Sequence, residues 1–420
     1  MADIRALYAD EDGNILDAPK GFKALARTGT DIIELSPDDL IPLPESADLM
    51  FLPDRLPLAK YGDEIMPIMG NAVAAILPAG YTRLYMPAFK KEDDAQMLPL
   101  YGYTAVVVYK DELYVAAMYT DENDKWDPAH YNTRNLHKLV KRVQKDLPDN
   151  RLVEHLGNCS LTWHCCTAQN LFYRRWEAGI PSSPVCNANC FGCISLQPAE
   201  CCPSPQSRIK FRPTPKEIAQ IGIYHLETAP DAIISFGQGC EGEPSLAVDN
   251  IVPAIEKIRK KTDKGQININ TNAGYTEGIK RIVDAGLDSM RVSIISAIPE
   301  NYKAYYRGSY ELDNVKESIR YAHEHGVHIS LNMLYFPGFN DSESEFKAWK
   351  EFLHENPVNM IQIRNLNIDL MLLPKSCHHL LKLSALKNLF ANYTKNSLIS
   401  SLVILVIIKK ENKSWSSILE

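Results

Sequence analysis

From Thr214 onward the chain alternates short β-branched apolar runs with longer segments of helical period, and few folds accept that repeat. The rhythm predicts helices over 214–227, 247–261, 276–285, 312–325 and 343–354. Strands are expected over 232–236, 267–270, 290–295 and 328–335, with a sixth strand over 360–366 once a weakly marked first strand just before the cysteine loop is counted. Thr214-Pro215-Lys216-Glu217 opens the first helix, and Gly286 and Gly326 stand where two others should stop. Strands separated by helices need crossover connections, so they should run parallel.

The first 132 residues read differently. Residues 105–109 and 113–119 are apolar runs around the polar turn Lys110-Asp111-Glu112, the pattern of a hairpin. Prolines 42, 44, 53 and 57 break the earlier part into short pieces and discourage long helices. A separate β-rich domain over 1–132 is expected. Leu136, Leu139, Val140, Val143 and Leu147 have helical spacing, which predicts one connecting helix over 133–155 inside a helical, cysteine-containing linker over 133–179.

At 420 residues the chain is long enough for two or three domains with substantial cores. Its net charge of -7 offers no general attraction to a phosphate backbone and disfavours nucleic acid as a partner. Residues 1–20 carry Asp3, Asp10, Glu11 and Asp12 and no apolar run of a signal peptide, which points to the cytoplasm. In that compartment ten cysteines suggest metal rather than disulfides. Residues 398–408 are strongly apolar but about half the length needed to cross a bilayer, so no membrane span is expected.

Three of the cysteines, Cys186, Cys190 and Cys193, are spaced CxxxCxxC. Thiolates suit iron-sulfur clusters and zinc, and the closed forms of both take four protein ligands. Three thiols therefore leave one metal position open. A zinc-stapled loop and three unrelated thiols are the other readings of the spacing.

In this motif the chain resembles the radical S-adenosylmethionine (radical SAM) enzymes. The resemblance covers about residues 180–368 and implies an α/β fold, a partial (β/α)6 radical SAM barrel preceded by a β-rich N-terminal domain, with chemistry at the C-terminal strand ends. It implies that Cys186, Cys190 and Cys193 bind a four-iron four-sulfur (4Fe-4S) cluster whose fourth iron chelates S-adenosyl-L-methionine. Gly242-Glu243-Pro244, after the second strand, looks like the family motif that holds the methionine amino group, where a carboxylate facing an ammonium makes a charge-assisted contact. Asn270-Thr271-Asn272-Ala273-Gly274 resembles a looser motif after the third strand, which brings in Asn272. On the fourth strand Ser293 is expected on the inner face and Arg291 on the opposite one. Phe191 occupies the position of an aromatic residue near adenine, and residues 336–341 are similar to a loop that closes the adenine side; Asn340 and Asp341 are otherwise a helix start.

The implied function is reductive cleavage of S-adenosylmethionine to a 5′-deoxyadenosyl radical that abstracts hydrogen from a substrate. The cofactor carries the hard step. A low-potential electron donor such as flavodoxin or ferredoxin and a peptide or small-molecule substrate are the implied partners. A non-enzymatic zinc- or iron-sulfur-binding module, or a redox carrier, is the alternative. Cys240, inside the glycine loop, is a catalytic candidate as hydrogen donor or substrate contact. Cys159, Cys165 or Cys166, and Cys201 or Cys202 are open to an auxiliary cluster or to buried free thiols. After Asp369 the composition shifts to Leu, Ser, Lys, Asn and Ile with no acid until Glu411. That shift suggests a frameshifted or truncated extension over 369–420; a lysine-rich helical tail is the other reading.

Overall fold

The structure, a computed structural model, describes residues 3–120, 124–197, 204 and 206–369. The expectations for Cys201, Cys202, residues 398–408 and the tail beyond Asp369 lie outside the described residues. Among those described, contacts divide the chain into two compact units. One holds residues up to 128 together with 334–349 and 363–369; the other holds 129–333 and 350–362.

The first unit is built on antiparallel strands. Its strands include β1 (Phe22–Thr28), β2 (Arg55–Tyr61), β3 (Asn71–Ile76), β4 (Tyr103–Tyr109) and β5 (Glu112–Val115). The expected hairpin is β4–β5, with Val106 opposite Val115 and Tyr109 opposite Glu112. Its two turn residues, Lys110 and Asp111, both have positive φ, at 56° and 60°, the conformation whose twist matches a two-residue hairpin. In the same unit Arg55 and Asp369 form an ion pair of 3.1 Å with both side chains 1% exposed.

The second unit begins with three helices, α1 (Leu136–Asp146), α2 (Arg151–Thr162) and α3 (Cys166–Tyr173). The single helix expected over 133–155 is therefore two. Asp149 takes a left-handed conformation with φ 62°, and Asn150 caps α2 by accepting from the backbone N–H groups of Leu152 and Val153. Helical periodicity runs through this break because both helices bury apolar residues on the same core.

A parallel sheet follows. Its strands are β6 (Glu177–Gly179), β7 (Ile233–Phe236), β8 (Gln266–Thr271), β9 (Ser289–Ile294), β10 (His328–Tyr335) and β11 (Met360–Asn365), hydrogen-bonded in sequence order. The helices between them are α4 (Pro215–Thr228), α5 (Val248–Lys261), α6 (Thr276–Asp284), α7 (Pro299–Tyr306), α8 (Leu312–Glu324) and α9 (Glu343–Glu355). Among the described residues β6 and β11 are the two ends of the strand order, which makes the sheet a half-barrel rather than a closed ring. One face of β7, β8 and β9 is apolar and fully buried: Ile234 and Phe236, Ile267 and Ile269, Met290, Val292 and Ile294. Helix α5 covers it with Ile251, Ala254, Ile255 and Ile258, spaced for one helical face. Helix α4 starts as the sequence predicts, with Thr214 and Glu217 forming a capping box and Pro215 in the first turn. Among the described residues no helix is long and apolar enough to cross a membrane.

His225 on α4 gives the unit an acid-sensitive point. Its Nε2 lies 2.9 Å from the Trp176 carbonyl, while Nδ1 is buried without a hydrogen-bonding partner among the described residues. Burial holds the imidazole down at about 4, so the folded protein keeps it neutral where the unfolded chain, near 6.5, would take a proton. Stability is then fully present above pH ~6.5 and is lost as pH falls towards ~4, by about 3 kcal/mol for this group. Urea titrations across that window should show the wild-type midpoint falling with acidification and a flatter profile for His225→Gln; parallel profiles would exclude His225 as the cause.

Candidate active site

The segments that follow β6, β7 and β8 lie at the same, C-terminal, edge of the parallel sheet, and hydrogen bonds join them. After β7 the chain turns through Gly237, whose φ is 78° and where an added Cβ would stand 1.7 Å from the Asn270 carbonyl oxygen. Glu241 then folds the loop around its own carboxylate. One oxygen accepts from the N–H groups of Gly237 (2.6 Å) and Gln238 (3.2 Å); the other accepts from the N–H of Ser182 (2.8 Å), the Ser182 hydroxyl (2.8 Å) and the N–H of Ser183 (3.0 Å). Burial pushes this carboxyl up to about 7 against the pull of those donors.

The next two residues carry the join to the cysteines. Gly242 donates its N–H to the Ser183 carbonyl at 2.7 Å, and Glu243 donates to that of Val185 at 2.9 Å. A Cβ on Gly242 would sit 2.0 Å from the Val185 oxygen, so only glycine fits against the residue before Cys186. Pro244, buried, starts a 3-10 turn that leads into α5. The Glu243 side chain is buried as well. Its Oε1 accepts from the Ser245 N–H (3.0 Å), the Ser245 hydroxyl (2.7 Å) and the Thr271 hydroxyl (2.5 Å); Oε2 accepts from the Asn272 N–H (2.8 Å). Oε1 is saturated, whereas Oε2 retains a lone-pair site. Burial raises the carboxyl's pKa despite these bonds, and a nearby cation would relieve that cost. Asn272 completes the circuit, its Nδ2 donating to Asn187 Oδ1 in the cysteine loop at 2.7 Å.

The cysteine loop is held from its other side by α7. The Asn189 N–H donates to the Tyr306 carbonyl, the Phe191 N–H to that of Tyr305, and the Ser309 N–H to that of Asn187. Arg307 places its guanidinium 4.0 Å from the centre of the Phe191 ring and donates from Nε to the Asn189 carbonyl at 2.7 Å. Arg208 lies on the opposite flank, with Nη2 3.5 Å from Cys193 Sγ and Nε 3.1 Å from Ser195 Oγ. The three thiols interact electrostatically with one another. Burial pushes Cys186 up to about 11, helped by the Glu243 charge, and raises Cys190 further. Tyr302, Tyr305, Tyr306 and Tyr310 pack behind Cys190.

Two side chains lie elsewhere than expected. Arg291 and Ser293 are two residues apart on β9, so strand alternation puts them on the same face, with Val292 and Ile294 buried on the other. The expectation that Arg291 points away from Ser293 was an error of period. Arg291 turns into the polar face, 2.5 Å from Glu177 Oε1, within a chain of contacts linking Glu177, Ser235, Asn268 and Ser289 across four strands. Ser293, half-buried, is in register with Asn332. Cys240 is the second: its thiol is buried against Cys159, not turned out of the loop. In the other unit, Asn340 accepts from the Phe336 N–H and Asp341 from that of Gly338, so both side chains bind their own loop.

Several residues that build the site escaped the sequence reading. Glu241 directly precedes the Gly242-Glu243-Pro244 motif, yet nothing local tells a loop-organising carboxylate from a solvated one. Arg208 and Arg307 are distant in sequence from the thiols they flank. The tyrosine-rich run over 302–310 was a signal, since four tyrosines in nine residues point to a buried aromatic wall.

The half-barrel with a three-cysteine loop at its C-terminal edge defines the radical SAM class, and residues 180–349 match the family model of the Radical SAM superfamily. Residues 180–349 are thus a Radical SAM domain, and the members of that superfamily are enzymes. The chain is 32% identical over 188 residues to an uncharacterised protein of Methanocaldococcus jannaschii, covering 43% of this chain and 56% of that protein. To a GTP 3′,8-cyclase of Limosilactobacillus fermentum it is 29% identical over 167 residues, covering 38% of this chain and 45% of the cyclase. The chain thus spans about half the length of the curated relatives it matches. Among solved structures it is similar to SuiB of Streptococcus suis bound to its precursor peptide SuiA, with a TM-score of 0.39, 13% identity, and coverage of 72% of this chain and 69% of that one.

Proposed function

We propose that this protein binds a 4Fe-4S cluster through Cys186, Cys190 and Cys193 and cleaves S-adenosylmethionine to start a hydrogen abstraction. The observation that carries the reading is the set of bonds joining the cysteine loop to Gly242, Glu243 and Asn272. Those bonds tie the thiols to a buried carboxylate and to a backbone edge that an amino acid moiety could approach. The donor set suits the cluster: three thiols on one loop, two of which, Cys186 and Cys190, burial keeps from ionising until a metal takes the charge, with Arg208 and Arg307 beside the loop. The cluster supplies the electron and S-adenosylmethionine supplies the 5′-deoxyadenosyl radical.

The chain's own part is to bind, orient and exclude water. Glu243 Oε2 is the acceptor for the cofactor's ammonium, with Gly242 and Pro244 shaping the approach. Asn272 keeps Glu243 and Asn187 in register. Phe191, stacked under Arg307, is the surface for adenine, and Ser293 faces the polar side of the half-barrel for the ribose or carboxylate. We place the protein in the cytoplasm with a flavodoxin- or ferredoxin-type donor and a peptide or small-molecule substrate. Anaerobically reconstituted protein should hold iron and sulfide and release 5′-deoxyadenosine with dithionite, and the Cys186/Cys190/Cys193→Ala variant should release none. Zinc in place of iron, or a cluster without release, would favour a binding module or a redox carrier.

A further inference from the structure

A second group of metal-binding side chains lies behind the glycine loop. His155 and Cys159, one turn apart on α2, meet Cys240 from the loop after β7, and their three ligand atoms are all within 4.8 Å of one another. His155 Nε2 is 3.6 Å from Cys159 Sγ, and the Cys159 and Cys240 thiols are in hydrogen-bonding contact. Cys165, at the start of α3, returns to the same place: its N–H donates to the Cys159 carbonyl at 3.2 Å, and its thiol interacts electrostatically with those of Cys159 and Cys240. Gln206 Nε2 lies 3.8 Å from the Cys165 sulfur, and the Phe211 ring stands edge-on to His155. Cys159 and Cys240 are buried, 3% and 4% exposed.

We propose that His155, Cys159, Cys165 and Cys240 bind a single zinc ion. Three thiolates and one imidazole are a closed zinc ligand set. With metal–sulfur bonds of about 2.3 Å and metal–nitrogen bonds of about 2.0 Å, neighbouring ligand atoms of a tetrahedron stand roughly 3.5–3.8 Å apart. The His155–Cys159 distance falls there. A 4Fe-4S cluster gives each thiolate its own iron and spreads the ligands wider, so this group is too tight for an auxiliary cluster of that kind. The ligands share Cys159 and Cys165 with the set of Cys159, Cys165 or Cys166, and Cys201 or Cys202, but the loop cysteine Cys240 and His155 supply the other two arms. Zinc here would tie α2 and α3 to the residue immediately before Glu241, fixing the loop that carries Gly242 and Glu243. Gln206 would steady the Cys165 thiolate from outside the ligand set.

The test separates this ion from the cysteine loop. Full-length protein carrying Cys186/Cys190/Cys193→Ala should be purified with about one zinc per chain and no stoichiometric iron or sulfide. Exchange of zinc for Co²⁺ should give the intense visible bands of a tetrahedral site together with thiolate charge transfer. Cys159→Ser and Cys240→Ser in that background should lose the stoichiometric metal. His155→Cys should keep it and raise the charge-transfer intensity by about one third, three thiolates becoming four, a gain that misfolding does not produce. Zinc-free protein that does not take up Co²⁺, a Co²⁺ spectrum indifferent to these substitutions, iron with sulfide in the triple variant, or a Cys159–Cys240 disulfide in the mass spectrum of unreduced protein would each overturn the proposal. None of these readouts uses S-adenosylmethionine, so the proposal stands or falls apart from the radical reading.

Discussion

Gly242→Ala is expected to abolish cluster assembly and 5′-deoxyadenosine release while the half-barrel itself remains folded. The new methyl would stand 2.0 Å from the Val185 oxygen and 2.5 Å from its carbonyl carbon, both main-chain atoms one residue before Cys186. Backbone cannot rotate aside as a side chain can. Relief requires the Gly242 to Ser183 and Glu243 to Val185 hydrogen bonds to break together, at about 4 kcal/mol or more. The strain falls on the loop after β7 and on the cysteine loop, the two segments that must be fixed for three thiols to share one cluster. Iron and sulfide per chain after anaerobic reconstitution, read beside the far-ultraviolet circular dichroism, check this. A variant that keeps full iron and wild-type release would show that the two loops need not touch.

Substitution of Glu243 should separate binding of S-adenosylmethionine from binding of the cluster. Glu243→Gln preserves the shape and the three bonds to one oxygen, but its amide NH₂ replaces Oε2 and confronts the Asn272 N–H. Two donors then face each other in a buried site, and the negative charge offered to an ammonium is gone. A loss of roughly 2–3 kcal/mol is expected, a fall of about a hundredfold in affinity for S-adenosylmethionine and in deoxyadenosine release. Glu243→Ala leaves all four donors without an acceptor and should cost about 4 kcal/mol, including disorder where the ends of β7 and β8 meet. Iron content should stay near wild type in the glutamine variant, because losing that charge only eases ionisation of the Cys186 thiol. Equal affinity for S-adenosylmethionine in wild type and Glu243→Gln would assign the carboxylate a purely structural role.

The elements of the parallel sheet were legible because each carries its own signal. Thr214 and Glu217 announce the start of α4 by a capping box, a local interaction between residues three apart. His328–Tyr335 is the strand its β-branched and apolar residues predict, with the same ends. The helix expected over 133–155 failed for a physical reason as clear as the successes. Periodicity counts apolar positions and passes over Asp149, whose left-handed backbone, followed by an Asn cap, ends one helix and begins another. Helix α7 was missed because its apolar side is made of tyrosines rather than aliphatic residues.

The candidate site divides along the same line. Cys186, Cys190 and Cys193 stand out because a metal needs several soft ligands at short spacing, and the glycines of 237–242 stand out because close backbone approach excludes a Cβ. Those are requirements on neighbours along the chain, and the sequence by itself determined them, as it determined the parallel βα order of 214–366. Tertiary structure alone decided which distant partners complete each requirement. It set Arg208 and Arg307 beside the thiols, spent the Glu241 carboxylate on five donors from two loops, turned Arg291 onto Glu177, and brought Cys240 to His155 and Cys159. It also grouped residues 334–349 and 363–369 with the N-terminal strands. Such pairings join residues that share no local pattern; burial and hydrogen-bond satisfaction select them only once the whole sheet is in place.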